Sequence, residues 1–252
     1  MRREVGDAAG QQKACEALGS IAARCGKDLQ KVAKAGGIEL VLAAMREHAG
    51  SEGVQQCACA ALHSIAANHG KSQEKVAQAG GIELVLAAMQ GHAGSEVLQQ
   101  WACEALGAIA MDNGENQKKI GEAGGIELVL AAMRGHAGSE DVQQEACEAL
   151  GSIAEFNEAN HHTIVEAGGI DLVLAAMRGH AGSEEEVQQE ACRALNCITA
   201  NSREIRKQVG AAGGIECVLA AMRTHSGSEE VQQEAQAVLR SIDSEGNAHE
   251  WP

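Results

Sequence analysis

Residues 124–154 read GGIELVLAAMRGHAGSEDVQQEACEALGSIA, and nearly the same text stands at residues 80–110 as GGIELVLAAMQGHAGSEVLQQWACEALGAIA. Working outward, the string Gly-Gly-Ile-(Glu/Asp) begins at Gly36, Gly80, Gly124, Gly168 and Gly213, giving spacings of 44, 44, 44 and 45 residues. The extra residue falls in the loop around Glu184 to Glu186. A Gln-Gln pair recurs from Gln55, Gln99, Gln143, Gln188 and Gln232, and a further copy at Gln11 and Gln12 lacks the earlier part of a repeat. Self-similarity at a fixed period of this length is the mark of a stacked repeat.

Within one period, Ile126 to Met133 is apolar apart from Glu127, which predicts a short helix buried on most sides. Ser139 then offers a side-chain oxygen to free amides, and Glu140 and Asp141 suit the positive end of the helix that follows. In that helix Val142, Ala146, Ala149, Leu150 and Ile153 fall at three- and four-residue spacing, so one face packs. The other face carries Glu145, Glu148 and Ser152. A short polar helix from about Asn116 to Ala123 precedes the glycine pair, where the chain turns.

Three helices per period result, and no such unit buries its apolar faces alone. The expected fold is all-α, a right-handed superhelix of about sixteen helices with essentially no β-structure. Residues 1–26 hold a leading third-type helix. Repeats follow at about 27–70, 71–114, 115–158, 159–202 and 203–242, and residues 243–252 form a polar tail.

The order of short helix, Ala-Gly-Gly-Ile, apolar helix, loop and then Val-Gln-Gln-Glu-Ala-Cys-Glu-Ala-Leu-Gly-Ser-Ile-Ala closely resembles the armadillo repeat family, from about Gln11 to Ile242. HEAT repeats are helix pairs and lack the short first helix with its glycine turn. The resemblance implies a non-enzymatic scaffold without cofactor, holding a protein or extended peptide in a concave groove lined by the third helices. It also implies tryptophan and asparagine ladders in that groove. Here the tryptophan position falls on Glu16, Ala60, Glu104, Glu148, Arg193 and Ala237, and the asparagine position on Ser20, Ser64, Ala108, Ser152, Cys197 and Ser241. Neither ladder is present. Neighbouring copies are alike beyond what stacking requires, so a designed or consensus-derived armadillo protein and a self-assembling structural module stand as alternatives.

One turn before the tryptophan position stand Lys13, Cys57, Trp101, Glu145, Glu190 and Glu234, so acidic charge accumulates toward the C-terminal half. The candidate groove residues are Trp101, Glu104, Glu145, Glu148, Ser152, Glu190, Arg193 and Glu234. Read functionally, the acids steer and bind a Lys/Arg-rich ligand over the last three repeats. On that reading, charge reversal of Glu145 and Glu190 weakens such a ligand. Read plainly, they are a solvated helix face. Trp101 is either tucked against its neighbour helix or an anchor for a ligand side chain.

Composition narrows the partners. With 35 acidic and 20 basic residues the chain carries −15, which repels nucleic acid and anionic membrane surfaces. The start, Met1-Arg2-Arg3-Glu4, does not read as a secretory signal, and no stretch is apolar enough to span a membrane. Nine cysteines without paired short spacings fit a reducing setting, so a cytoplasmic or nuclear location is expected.

Two recurrent residue types look chemical. His48, His92, His136, His180 and His225 end the second helices, and equivalent positions of stacked helices about 8–10 Å apart are poorly placed to share a metal ion. They are read as caps on helix carbonyl ends. Cys15, Cys59, Cys103, Cys147 and Cys192 lie beside the apolar stripe and read as small core residues, with Cys25 and Cys57 as the exposed thiols. Gly-Gly-Ile follows a helix and lacks the strand of a phosphate loop, so no catalytic constellation is read.

The two ends are unequal. A leading helix from about Gln11 has nothing before it but small residues such as Val5, Ala8 and Ala9, while Gln236 and Arg240 bring polar groups where Cys147 and Gly151 stand earlier. The last repeat reads as a cap, and the open N-terminal end invites a homodimer.

Overall fold

The fold is that of a computed structural model, which describes residues 7–24, 36–67, 70–183 and 185–243, including every side chain among them but those of 18–24 and 243. A third-type helix leads, α1 (Ala8–Arg24), followed by α2 (Gly37–Glu47) and α3 (Glu52–Ala66). Then come three-helix units: α4 (Gly70–Gln78), α5 (Gly81–Gly91) and α6 (Glu96–Ala110), and next α7 (Gly114–Glu122), α8 (Gly125–Gly135) and α9 (Glu140–Ala154). The last two are α10 (Glu158–Glu166), α11 (Gly169–Gly179) and α12 (Glu185–Thr199), and α13 (Arg203–Ala211), α14 (Gly214–Thr224) and α15 (Glu229–Asp243). The described residues contain no strand. The first helix of the first repeat, the sixteenth expected, falls among residues outside the described ones.

Third helices pack on one another most extensively, in the order α1, α3, α6, α9, α12, α15, and the second helices form a parallel row, α2, α5, α8, α11, α14. Val142, Ala146, Ala149, Leu150 and Ile153 of α9 are all fully buried. Loss of a large core side chain such as Leu150 costs about 2–5 kcal/mol. Small residues set the spacing of the third-helix row. A Cβ on Gly107 would stand 3.4 Å from Ala149 Cα, and one on Gly151 would stand 3.5 Å from Ala194 Cα.

Both glycines of each turn have a distinct job. Gly124 is left-handed, at φ 78°, whereas Gly125 already begins α8 and is needed because a Cβ there would lie 2.9 Å from the Ile120 carbonyl oxygen. The Gln-Gln column turns out to be a staple. Gln143 Nε2 donates to the carbonyls of Met133 and His136, both at 3.0 Å, which satisfies the end of α8 from inside α9. Gln55, Gln99, Gln188 and Gln232 do the same in their repeats. Arg46, Arg134 and Arg178 tie the second-helix row by donating to the carbonyls of Ala79, Ala167 and Ala212.

Some boundaries differ from expectation. α1 starts at Ala8, not Gln11, because Asp7 Oδ1 accepts from the Ala9 amide at 3.2 Å. The polar helix starts at Gly114, not Asn116, because Asn113 Oδ1 accepts from the Asn116 amide. Ser139 caps α9 through the Val142 amide. Three of the five recurrent histidines act across repeats as well as on their own helix: the Nε2 atoms of His92, His136 and His180 lie 2.8–3.1 Å from the carbonyls of Ala49, Ala93 and Ala137 in the preceding loops. Val5 and Cys25 lie outside the described residues.

Candidate functional site

On α9 the positions 145, 148 and 152 share one face. The close approach enforced by Gly107, Ala149, Gly151 and Ala194 sets the neighbouring third helices against that face. Consequently Glu145 is only 8% exposed and Ser152 only 1%, so this is not the solvated face that the polar residues suggested. The reason is geometric, since an amphipathic pattern marks which side is polar but not how near the next helix comes.

Glu145 Oε1 accepts from Gln144 Nε2 at 3.3 Å, while no donor reaches Oε2. Burial first, then the carboxylates of Glu104, Glu148 and Glu190, push the Glu145 carboxyl up to about 8. Ser152 Oγ is likewise buried without a hydrogen bond.

The acids on either side each have a nitrogen partner. Glu104 on α6 is raised by burial and drawn back by His63 of α3, whose Nε2 stands 3.4 Å from Glu104 Oε1. His63 Nδ1 also lies 3.4 Å from the Glu104 carbonyl. Glu190 on α12 is raised by burial and opposed by Arg193, whose Nε donates to Glu190 Oε2 at 2.7 Å. Arg193 Nη2 reaches back to the Glu148 carbonyl at 3.0 Å. His63 was missed in the sequence. Its signal is that it stands alone in a third helix, away from the repeating histidine column.

Of the other expected residues, Trp101 is half-buried and packs against the core, at the position in α6 that Glu145 holds in α9. Glu234 on α15 is half-buried and adds to the charge felt by Glu190. The structure therefore brings Glu104, Glu145, Glu148, Glu190 and Arg193 together across three stacked helices, with Glu234 at one end. The column cysteines are fully buried, and burial pushes Cys15 and Cys59 up to about 12, which leaves them inert thiols. Cys57 is half-buried and donates to Glu16 Oε1 at 3.4 Å. Among the described residues no group of three His, Cys, Asp or Glu side chains is placed to hold a metal ion, and no helix is long and apolar enough to cross a membrane.

Rows of three-helix units stacked through glycine turns define an α-solenoid. The family described as LRRK2 ARM repeat matches residues 66–250, and the chain belongs to the armadillo repeat family. No curated protein sequence matches it. Among solved structures it is similar to an engineered protein at 31% identity and TM-score 0.83, covering 95% of this chain and 94% of that one. A designed armadillo repeat protein named YIII(Dq)4CqI is 27% identical at TM-score 0.83, with 95% and 96% covered. A related designed armadillo protein, solved in complex with the peptide (KR)4, is 26% identical at TM-score 0.80, again with 95% and 96% covered.

Proposed function

We propose that the chain is a non-enzymatic scaffold that binds an extended, Lys/Arg-rich peptide along the face formed by its third helices. The observation that carries this reading is the run of carboxylates on successive third helices, Glu104, Glu145, Glu148, Glu190 and Glu234, among which packing buries Glu145 and burial raises Glu104, Glu145 and Glu190. Desolvated like charges repel, and a row of ligand cations at the repeat spacing relieves them. The (KR)4 peptide bound by a designed relative has the same chemistry.

The test is fluorescence anisotropy with labelled (KR)4 and an acidic peptide of equal length. The basic peptide should bind, weaken with added salt, and lose both affinity and salt dependence in an E104K/E148K variant. The acidic peptide should not bind. Equal affinity of the variant and the unaltered chain would return the carboxylates to a purely structural role.

A further inference from the structure

The second helices keep nearly one sequence, and the last of them departs from it. Leu40, Leu84, Leu128 and Leu172 stand at one position of successive second helices, and Cys217 takes that position in α14. There a cavity of about 390 Å³ opens between α11 and α14, with Met177, Arg178, Gln188, Glu216, Cys217 and Ala221 in its walls. Its size falls within the usual range of small-molecule sites, about 300–1,000 Å³. A thiol is shorter than an isobutyl group, so the exchange cuts the wall back. The tie between neighbouring repeats is also missing at this junction. His180 reaches the Ala137 carbonyl, but the Nε2 of His225 is buried without a hydrogen bond, and Ala181, which holds Ala137's place in the preceding loop, lines the cavity.

The walls fix the chemistry of what fits. Met177 and Cys217 are buried and offer sulfur to an aromatic ring. Gln188 is 1% exposed, and its Nε2 is committed to the carbonyls of Met177 and His180 at 3.0 and 3.1 Å. What it has left for the cavity is Oε1, an acceptor. At the mouth a Cβ on Gly213 would stand 3.3 Å from Arg178 Nη2 and 3.7 Å from Glu216 Oε2, so opposite charges flank one point. Arg178 donates from Nη2 to the Ala212 carbonyl and keeps its other N–H groups, and neither residue enters an ion pair among the described residues. Gly80 is flanked in the same way by Arg46 and Glu83, but with Leu84 at the place of Cys217.

We propose that the cavity between α11 and α14 binds a free, indole-bearing amino acid such as L-tryptophan. The ring lies against Met177, Cys217 and Ala221, and its N–H donates to Gln188 Oε1. The carboxylate meets Arg178 and the ammonium meets Glu216. An indole has a large apolar body with a single donor that needs a partner when buried, which is what this wall supplies. A simple acid would leave Glu216 unanswered at the mouth, and a simple amine would leave Arg178 so. A tryptophan inside a peptide carries neither charge on its backbone, so the mouth selects the free amino acid. The site belongs to the second-helix row and does not depend on how the third-helix face is read.

Titration calorimetry of the full chain with L-tryptophan, L-leucine, indole and indole-3-acetate tests this. L-Tryptophan should bind, and each of the others about tenfold more weakly, since each lacks the ring, the whole head or the ammonium. R178Q should weaken L-tryptophan about tenfold. C217L restores the residue of the other second helices, so it suits the fold, and it should abolish binding. Alkylation of the unaltered chain followed by peptide mapping gives a readout independent of any variant: saturating L-tryptophan should slow labelling of Cys217 about tenfold and leave Cys57 and Cys197 unchanged. Labelling of Cys217 that is unslowed by millimolar L-tryptophan overturns the site. Equal affinity for indole overturns it too, as does undiminished binding by C217L. Each of these outcomes leaves (KR)4 anisotropy, and with it the third-helix reading, untouched.

Discussion

The third helices α9 and α12 share one backbone plan, yet at matching places α9 sets Glu148 beside Glu145 where α12 sets Arg193 beside Glu190. In α12 a half-buried acid is answered by a base 2.7 Å away; in α9 a more deeply buried acid faces three others. In these two helices stacking desolvates the acid, and the residue three places on decides whether that burial costs stability. A solenoid repeats geometry, so small sequence differences between copies become differences in charge state at otherwise equal sites.

The largest effect should come from removing the unanswered acid. A carboxyl at about 8 when folded and near 4.5 otherwise keeps its proton in the folded chain while the unfolded chain ionises. Stability is therefore full below the ordinary value and is lost as pH rises toward 8, at no more than about 1.4 kcal/mol per pH unit. E145Q should match the unaltered chain near pH 4 and exceed it by a few kcal/mol at pH 8. Thermal unfolding across that range measures it, and parallel pH curves for the two proteins would remove the charge contrast between α9 and α12.

Breaking the answered acid should go the other way. R193A leaves Glu190 with Glu148 and Glu234 and no base, and it frees the Glu148 carbonyl. We expect a loss of about 2 kcal/mol, below that of a fully buried pair because both side chains keep some solvent. Adding E190A to R193A should recover most of it in a double-mutant cycle. A loss of equal size in the double variant would place the role of Arg193 in its packing over Gly151.

Much of this fold was legible because period and glycine turns are written in the sequence itself. Gly124 and Gly125 marked a turn, and the stripe from Val142 to Ile153 marked a packed face. The burial of Glu145 was not legible, since it depends on Gly107, Ala149, Gly151 and Ala194 drawing helices close, a property of pairs of repeats. The Gln143 staple was visible as a recurrence without a role, for its acceptors lie in a different helix. The pairing of Arg193 with Glu190 was not read from the sequence, although their i,i+3 spacing permits it, because the same spacing in α9 sets two acids side by side.

The smallest expected effect carries the comparison to the turns that follow these helices. After α9 the chain passes through Phe156 at φ 54°, and after α12 through Asn201 at φ 59°. Asn tolerates the left-handed region because its short polar side chain bonds locally, whereas a bulky aromatic meets its own backbone at a cost of roughly 1 kcal/mol. Phe156 gains nothing from packing in return, since it is 86% exposed. F156N, which copies the α12 turn into the α9 turn, should therefore raise stability by about 0.5–1 kcal/mol. Thermal unfolding of the single variant checks this, and (KR)4 anisotropy on the same sample separates two reasons for the strained aromatic. Unchanged binding with higher stability makes Phe156 a plain local cost. Weaker binding with higher stability makes it a ligand contact at the edge of the third-helix face, retained against its backbone strain. A fall in stability would mean that the left-handed turn after α9 is not the strained one, and the two turns would then differ in packing rather than in backbone preference.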